Sequence, residues 1–173
     1  MNLRIRIYLI LSLLAFLVPG VGRAETRESL YNPKTAQKLD PSQLSQFGPQ
    51  AGKFRYDARM IHAAEIAAAR AKKHSTSRCW HYVKDALVAA HIISTRPVTA
   101  YAKQAGGELT QSYGFQRIRE TDPWKAPLGS VIVYGGNGAG HVELRTAQGF
   151  VSDFVSARPS PRPLIGIYIK PRA

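Results

Sequence analysis

Between Asp57 and Lys73 the apolar positions recur at helical spacing. Ile61, Ala64, Ala68 and Ala71 share one face of an alanine-rich segment, and Arg70, Lys72 and Lys73 suit the negative pole of a helix dipole. His74-Ser75-Thr76-Ser77 interrupts that period, and Ser77 is a suitable N-cap for a second helix reaching His91. Within it Cys79, Val83, Ala86, Leu87 and Ala90 fall three or four apart, so the cysteine lies on the inward face, in the first turn. Ser94 or Thr95, followed by Pro97, starts a third, shorter helix that Gly106-Gly107 ends. After an aromatic, basic loop with Tyr113, Phe115 and Trp124 the period falls to two. Residues 129–134, 140–145, 149–154 and 164–169 each read as a strand with Gly or Pro at the joints, and 157–163 reads as a loop. Helices that precede strands without alternating predict an α+β domain, N-terminal helices packed on an antiparallel β-sheet.

Upstream of this domain, set at 57–173, the chain has a different character. Residues 25–56 are polar, broken by Pro33, Pro41 and Pro49, and read as an irregular extension. Residues 1–24 read as a Sec-type signal peptide. Arg4 and Arg6 precede the apolar run Leu9 to Val18, Pro19-Gly20 breaks it, and Gly22-Arg23-Ala24 offers small residues for cleavage near Ala24. That apolar run is too short to span a bilayer, so no stable membrane insertion is expected after cleavage, and the destination is the periplasm or the medium. The chain holds 24 Lys+Arg against 11 Asp+Glu, and losing Arg4, Arg6 and Arg23 lowers its net charge from +13 to +10. A surface of that sign is drawn to polyanions, and export makes the acidic polymers of a cell envelope the expected partner. No groove-reading motif or regular arginine and aromatic stripe supports nucleic acid. The oligomeric state is open, with a monomer as the expectation.

The only cysteine is Cys79. An exported lone thiol cannot close an internal disulfide, which leaves a small buried residue or a nucleophile. At a helix start, free N–H groups and the positive dipole end favour a thiolate. A cysteine nucleophile needs a base, and the base needs a third group to orient it. Of the five histidines, only His141 opens a predicted strand just after a glycine-rich turn, whereas His81 points away from Cys79 on the same helix. Asp153 is the leading third group, because alternation across a hairpin closed near residues 146–149 can put it beside His141. Glu143, two residues along the strand from His141, shares its face and is a second orienter or a substrate contact. Trp80, Tyr113, Trp124 and Tyr134 are candidate cleft aromatics, with Trp80 and Tyr134 the expected substrate contacts. Residues 135–140 lack the spacing of a nucleotide-binding loop and read as a flexible turn. The histidines and the cysteine show no zinc-ligand spacing, so no metal and no cofactor is expected.

The runs 79–87, 127–133, Gly140-His141-Val142-Glu143-Leu144 and Val151-Ser152-Asp153-Phe154 together resemble the CHAP/NlpC-type papain-like cysteine amidohydrolases, closest to bacterial peptidoglycan amidases and endopeptidases. The resemblance spans Asp57 to Lys170. It implies a papain-like fold and hydrolysis of amide bonds in cell-wall peptides through a thioester, with Cys79 as nucleophile, His141 as base and Asp153 as the orienting acid. Where members often carry glycine before the cysteine, this chain has Ser77-Arg78. The competing expectation is an exported papain-like module that binds wall fragments or an envelope protein without turnover.

Overall fold

Residues 54–172 are described by a computed structural model. The signal segment 1–24 and the extension as far as residue 53 lie outside the described residues. Helix α1 (Arg59–Arg70) buries Met60, Ile61, Ala63, Ala64 and Ala67, and the small alanines let it lie close against α2 (Cys79–Ala89). It stops three residues short of Lys73 because Ala71 turns to extended backbone and Lys72 N–H donates to the carbonyl of Asp153 at 2.7 Å. Helix α2 begins at the cysteine itself. Arg78, not Ser77, holds the N-cap position, and Ser77 adopts a left-handed φ of 59°. Its far end is tied to α1 by the Arg59 guanidinium, which donates to the His91 carbonyl at 2.6 Å.

The third helix is displaced from its expected place. Residues 94–101 form a loop, a 3-10 turn covers Ala102–Gln104, and α3 runs Ala105–Tyr113 to a left-handed Gly114. Gly106 and Gly107 lie inside this helix instead of ending it. A Cβ on Gly106 would collide with the Tyr168 ring, so glycine there provides room for close packing on the sheet.

Six strands follow: β1 (Gln116–Ile118), β2 (Val131–Tyr134), β3 (His141–Thr146), β4 (Gly149–Val151), β5 (Val155–Ser156) and β6 (Leu164–Ile169). They form one antiparallel sheet in the order β1-β6-β2-β3-β4-β5. The short edge strands β1 and β5 carry too few apolar positions to show a period in the sequence. Val131, Val133, Val142, Leu144 and Val151 face the helices and join one core with Trp80, Val83 and Leu87. Burying each such aliphatic side chain contributes about 2 kcal/mol. Ile132, Tyr134, Phe150 and Ile167 form a second, smaller cluster on the other face. The architecture is α+β, as the order of elements predicts, and papain-like, as the family resemblance implies. Among the described residues no helix is long and apolar enough to cross a membrane.

Candidate active site

Cys79 is half-buried at the first position of α2, and β3 packs against that helix. At this position the cysteine N–H is outside the helix's own ladder, whose first bond runs from Tyr82 N–H to the Arg78 carbonyl at 3.1 Å. His141 opens β3, where the preceding Gly140 takes a φ of 75°. A Cβ on Gly140 would strike the Tyr134 carbonyl at 2.5 Å and Lys103 Cβ at 2.7 Å, so the turn is closely packed where it meets His141, while residues 136–139 are exposed.

The ring of His141 meets Glu143 Oε2 through Nε2 at 3.3 Å, and of its polar neighbours Cys79 does most to raise its pKa. Burial alone would push the imidazole pKa down. The hydrogen bonds to Cys79 and Glu143, and the charge they carry, outweigh it and raise the ring to about 9. The protonated ring is therefore the form these two neighbours favour at neutral pH.

Glu143 is itself enclosed, with its side chain 3% exposed. Its Oε1 accepts the Tyr134 hydroxyl at 2.6 Å and the Ser160 N–H at 3.3 Å. Residues 141 and 143 share a strand face, and Tyr134 sits opposite His141 in the β2–β3 register, so one short stretch of sheet builds the whole relay. Burial first, then Glu143, holds the Tyr134 hydroxyl well above its ordinary pKa, which keeps it a donor. The Ser160 contribution comes from the backbone of the 157–163 loop, and a backbone donor leaves no mark in residue type.

Asp153 is placed differently from the expected orienting acid. Strand β4 ends at Val151, so the alternation that would have carried Asp153 to His141 stops two residues early. The fully buried carboxylate turns instead to the segment before Cys79. Oδ2 accepts Thr76 N–H at 2.5 Å, Thr76 Oγ1 at 2.9 Å, Arg78 N–H at 3.2 Å and Ser75 Oγ at 3.4 Å, while Oδ1 accepts Ser152 Oγ at 3.1 Å. Burial would raise its pKa, yet the Thr76 and Arg78 backbone bonds with the Thr76 hydroxyl lower it overall. These bonds hold the turn in which Ser77 takes its left-handed conformation.

The aromatic candidates divide in the same way. Trp80 is 4% exposed, donates Nε1 to Thr99 Oγ1 at 3.1 Å and lies under the Lys84 ammonium, 5.1 Å from the ring centroid, so it is a core group. Tyr134 is 1% exposed and serves Glu143, which removes it from the substrate contacts. Glu143, the third expected substrate contact, is closed off by its three donors. Tyr113 Oη lies 3.4 Å from Thr95 Oγ1, and Trp124 packs edge-on against Phe150. His81 points away from the sulfur, with Nδ1 2.7 Å from Arg96 and Nε2 3.3 Å from Asp85. That flank of α2 lines a separate cavity of about 500 Å³ with Arg70, Lys72, Arg78 and Tyr82.

No protein-family model and no curated protein matches the chain. A chain from the crystal structure of the type VI native effector-immunity complex Tae3-Tai3 from Ralstonia pickettii is similar, with a TM-score of 0.54 and 26% identity. The match covers 65% of this chain and 98% of that one. A chain from the SeMet form of the same complex gives a TM-score of 0.45 and 31% identity, over 54% of this chain and 80% of that one.

Proposed function

We propose that the protein is an exported cysteine hydrolase that cleaves amide bonds in peptidoglycan peptides, with Cys79 as nucleophile, His141 as acid and base, and Glu143 as orienting carboxylate. One observation carries this reading: the His141 ring lies 3.3 Å from the enclosed Glu143 carboxylate and has Cys79 as the polar neighbour that does most to raise its pKa. A thiolate at Cys79 attacks the substrate carbonyl, and negative charge on the tetrahedral oxygen is met by the Cys79 N–H at the helix start, a donor worth about 3 kcal/mol. His141 gives its proton to the departing amine, leaving a thioester. The neutral ring then takes a proton from water, and the hydroxide equivalent releases the acid and restores the thiolate. Glu143 stabilises the imidazolium at both ends of the cycle. Asp153 is a positioning residue, acting through the turn that presents the sulfur.

The basic surface suits an anionic wall polymer, and the segment 1–24 supplies the export route. The likeness to a chain of a type VI effector-immunity complex supports the role of an effector whose activity a dedicated protein partner neutralises. The test is release of new amino groups from purified sacculi. Wild type is expected to release them and Cys79→Ala to fall to background. Persisting release by the variant would end the proposal.

A further inference from the structure

One residue outside the relay, Thr99, has every polar group engaged, by the buried Lys84 and Trp80 and the partly buried Glu108. Its N–H donates to Glu108 Oε2 at 3.1 Å, its hydroxyl donates to the same oxygen, and its carbonyl accepts Lys84 Nζ at 2.5 Å. Trp80 Nε1 donates to its hydroxyl oxygen, and Val98 N–H donates to Glu108 Oε1 at 2.5 Å. Lys84 is only 5% exposed. Burying an ammonium is costly unless it is paired and hydrogen-bonded, so an exposed loop pinned by such a group has its geometry fixed before any ligand arrives. What that loop displays is apolar: Val98 is 88% exposed and Tyr101 is 53% exposed.

The loop also spans the reactive pair. At one end its anchor, Trp80, is the residue after Cys79. At the other, Lys103 N–H donates to the Ala139 carbonyl at 2.9 Å and its Cβ abuts Gly140, the residue before His141. The Ala102–Gln104 turn packs on both β2 and β3. Lys103 Nζ stands 6.0 Å from the Tyr101 ring centroid, and among the described residues no carboxylate forms an ion pair with it. A rigid aromatic face beside an uncompensated cation is suited to a peptide that presents an apolar side chain next to a carboxylate.

We infer that residues 98–103 form the substrate-reading wall of the cleft, Tyr101 receiving the apolar face of an acidic peptide and Lys103 its carboxylate. The peptide class rests on the hydrolase reading above. The test is binding of a purified muropeptide with free carboxylates, and of the same muropeptide amidated, to full-length protein carrying Cys79→Ala, alone and with Tyr101→Ala or Lys103→Gln. Both added variants are expected to weaken binding of the free acid at least tenfold. Amidation is expected to weaken binding to the Cys79→Ala protein by a similar factor but to cost nothing further with Lys103→Gln. Unchanged thermal unfolding temperatures would show that the variants fold. Affinities within twofold of each other, or no binding of the muropeptide to the Cys79→Ala protein, overturn the inference and leave the loop to a protein partner. Weakened binding by the variants, with no turnover by wild type, upholds the wall and refutes the hydrolase. Turnover with unchanged affinity and KM in both variants does the reverse.

Discussion

The turn before Cys79 and the opening of β3 each enclose one buried carboxylate, and the two are held by unlike partners. Asp153 accepts backbone N–H groups and small hydroxyls from residues 75–78, so its charge fixes the path of a chain. Glu143 accepts one backbone N–H but also a phenol and an imidazole, so its charge fixes where a proton resides. Equal burial therefore does not mean equal work. A carboxylate surrounded by amides builds geometry, whereas one touching a group that titrates near neutrality sets a protonation state.

Replacing each carboxylate separates these roles. The largest effect is expected on rate for Glu143→Gln. Its amide can still accept from Tyr134 and Ser160 and can donate to a neutral His141, so the fold survives while support for the imidazolium is lost. A drop in kcat on the order of 100-fold is expected on a soluble muropeptide. The pH profile gives the sign. His141 is raised to about 9, so stability from its protonated form is full below the ordinary imidazole range and is lost as pH rises through about 9. Activity should fall on the same alkaline limb, and Glu143→Gln should move that limb to lower pH. An unmoved limb would place the supporting charge elsewhere.

Asp153→Ala is expected to act next, and on stability first. It leaves two inward N–H groups of the turn without acceptors, a loss of about 3 kcal/mol in denaturant unfolding. Asp153→Asn, which keeps an acceptor oxygen in place, should recover most of that loss and leave the alkaline limb where it was. Because the Asp153 pKa is lowered, its stabilisation is present above the unfolded carboxyl pKa and is lost as pH falls through the lower folded value. The Asn variant should lack that acid-side dependence. If Asp153→Asn instead shifts the alkaline limb, the two carboxylates share one function and the contrast drawn between them fails.

The smallest change is Tyr134→Phe. It removes one of three donors to Glu143, and a loss of about 1.5 kcal/mol, or roughly tenfold in kcat/KM, is expected with the unfolding midpoint nearly unchanged. A loss as large as that of Glu143→Gln would make the phenol itself a proton carrier.

Much of this arrangement is legible in the linear chain. The two-residue spacing of His141 and Glu143 puts both on one strand face, and the three- and four-residue spacing around Cys79 puts the sulfur on the inward side of a helix start. Less legible is where regular structure stops. The pattern through Phe150 and Val151 carries on to Asp153 on paper, but the strand ends at Val151 and the next residues bend toward residues 75–78. Gly106-Gly107 carries the marks of a helix end, yet packing against Tyr168 demands the missing side chain inside a helix. Trp80 and Tyr134 have the composition of a binding cleft and the burial of a core.

The order of helices before strands, the lone thiol at a helix start and the histidine after a glycine turn are local facts, and local pattern alone determined them. Which carboxylate meets the imidazole was decided only by tertiary structure. That choice depends on a strand ending two residues early and on a distant loop closing over Glu143, and both follow from packing between segments that no sequence period connects.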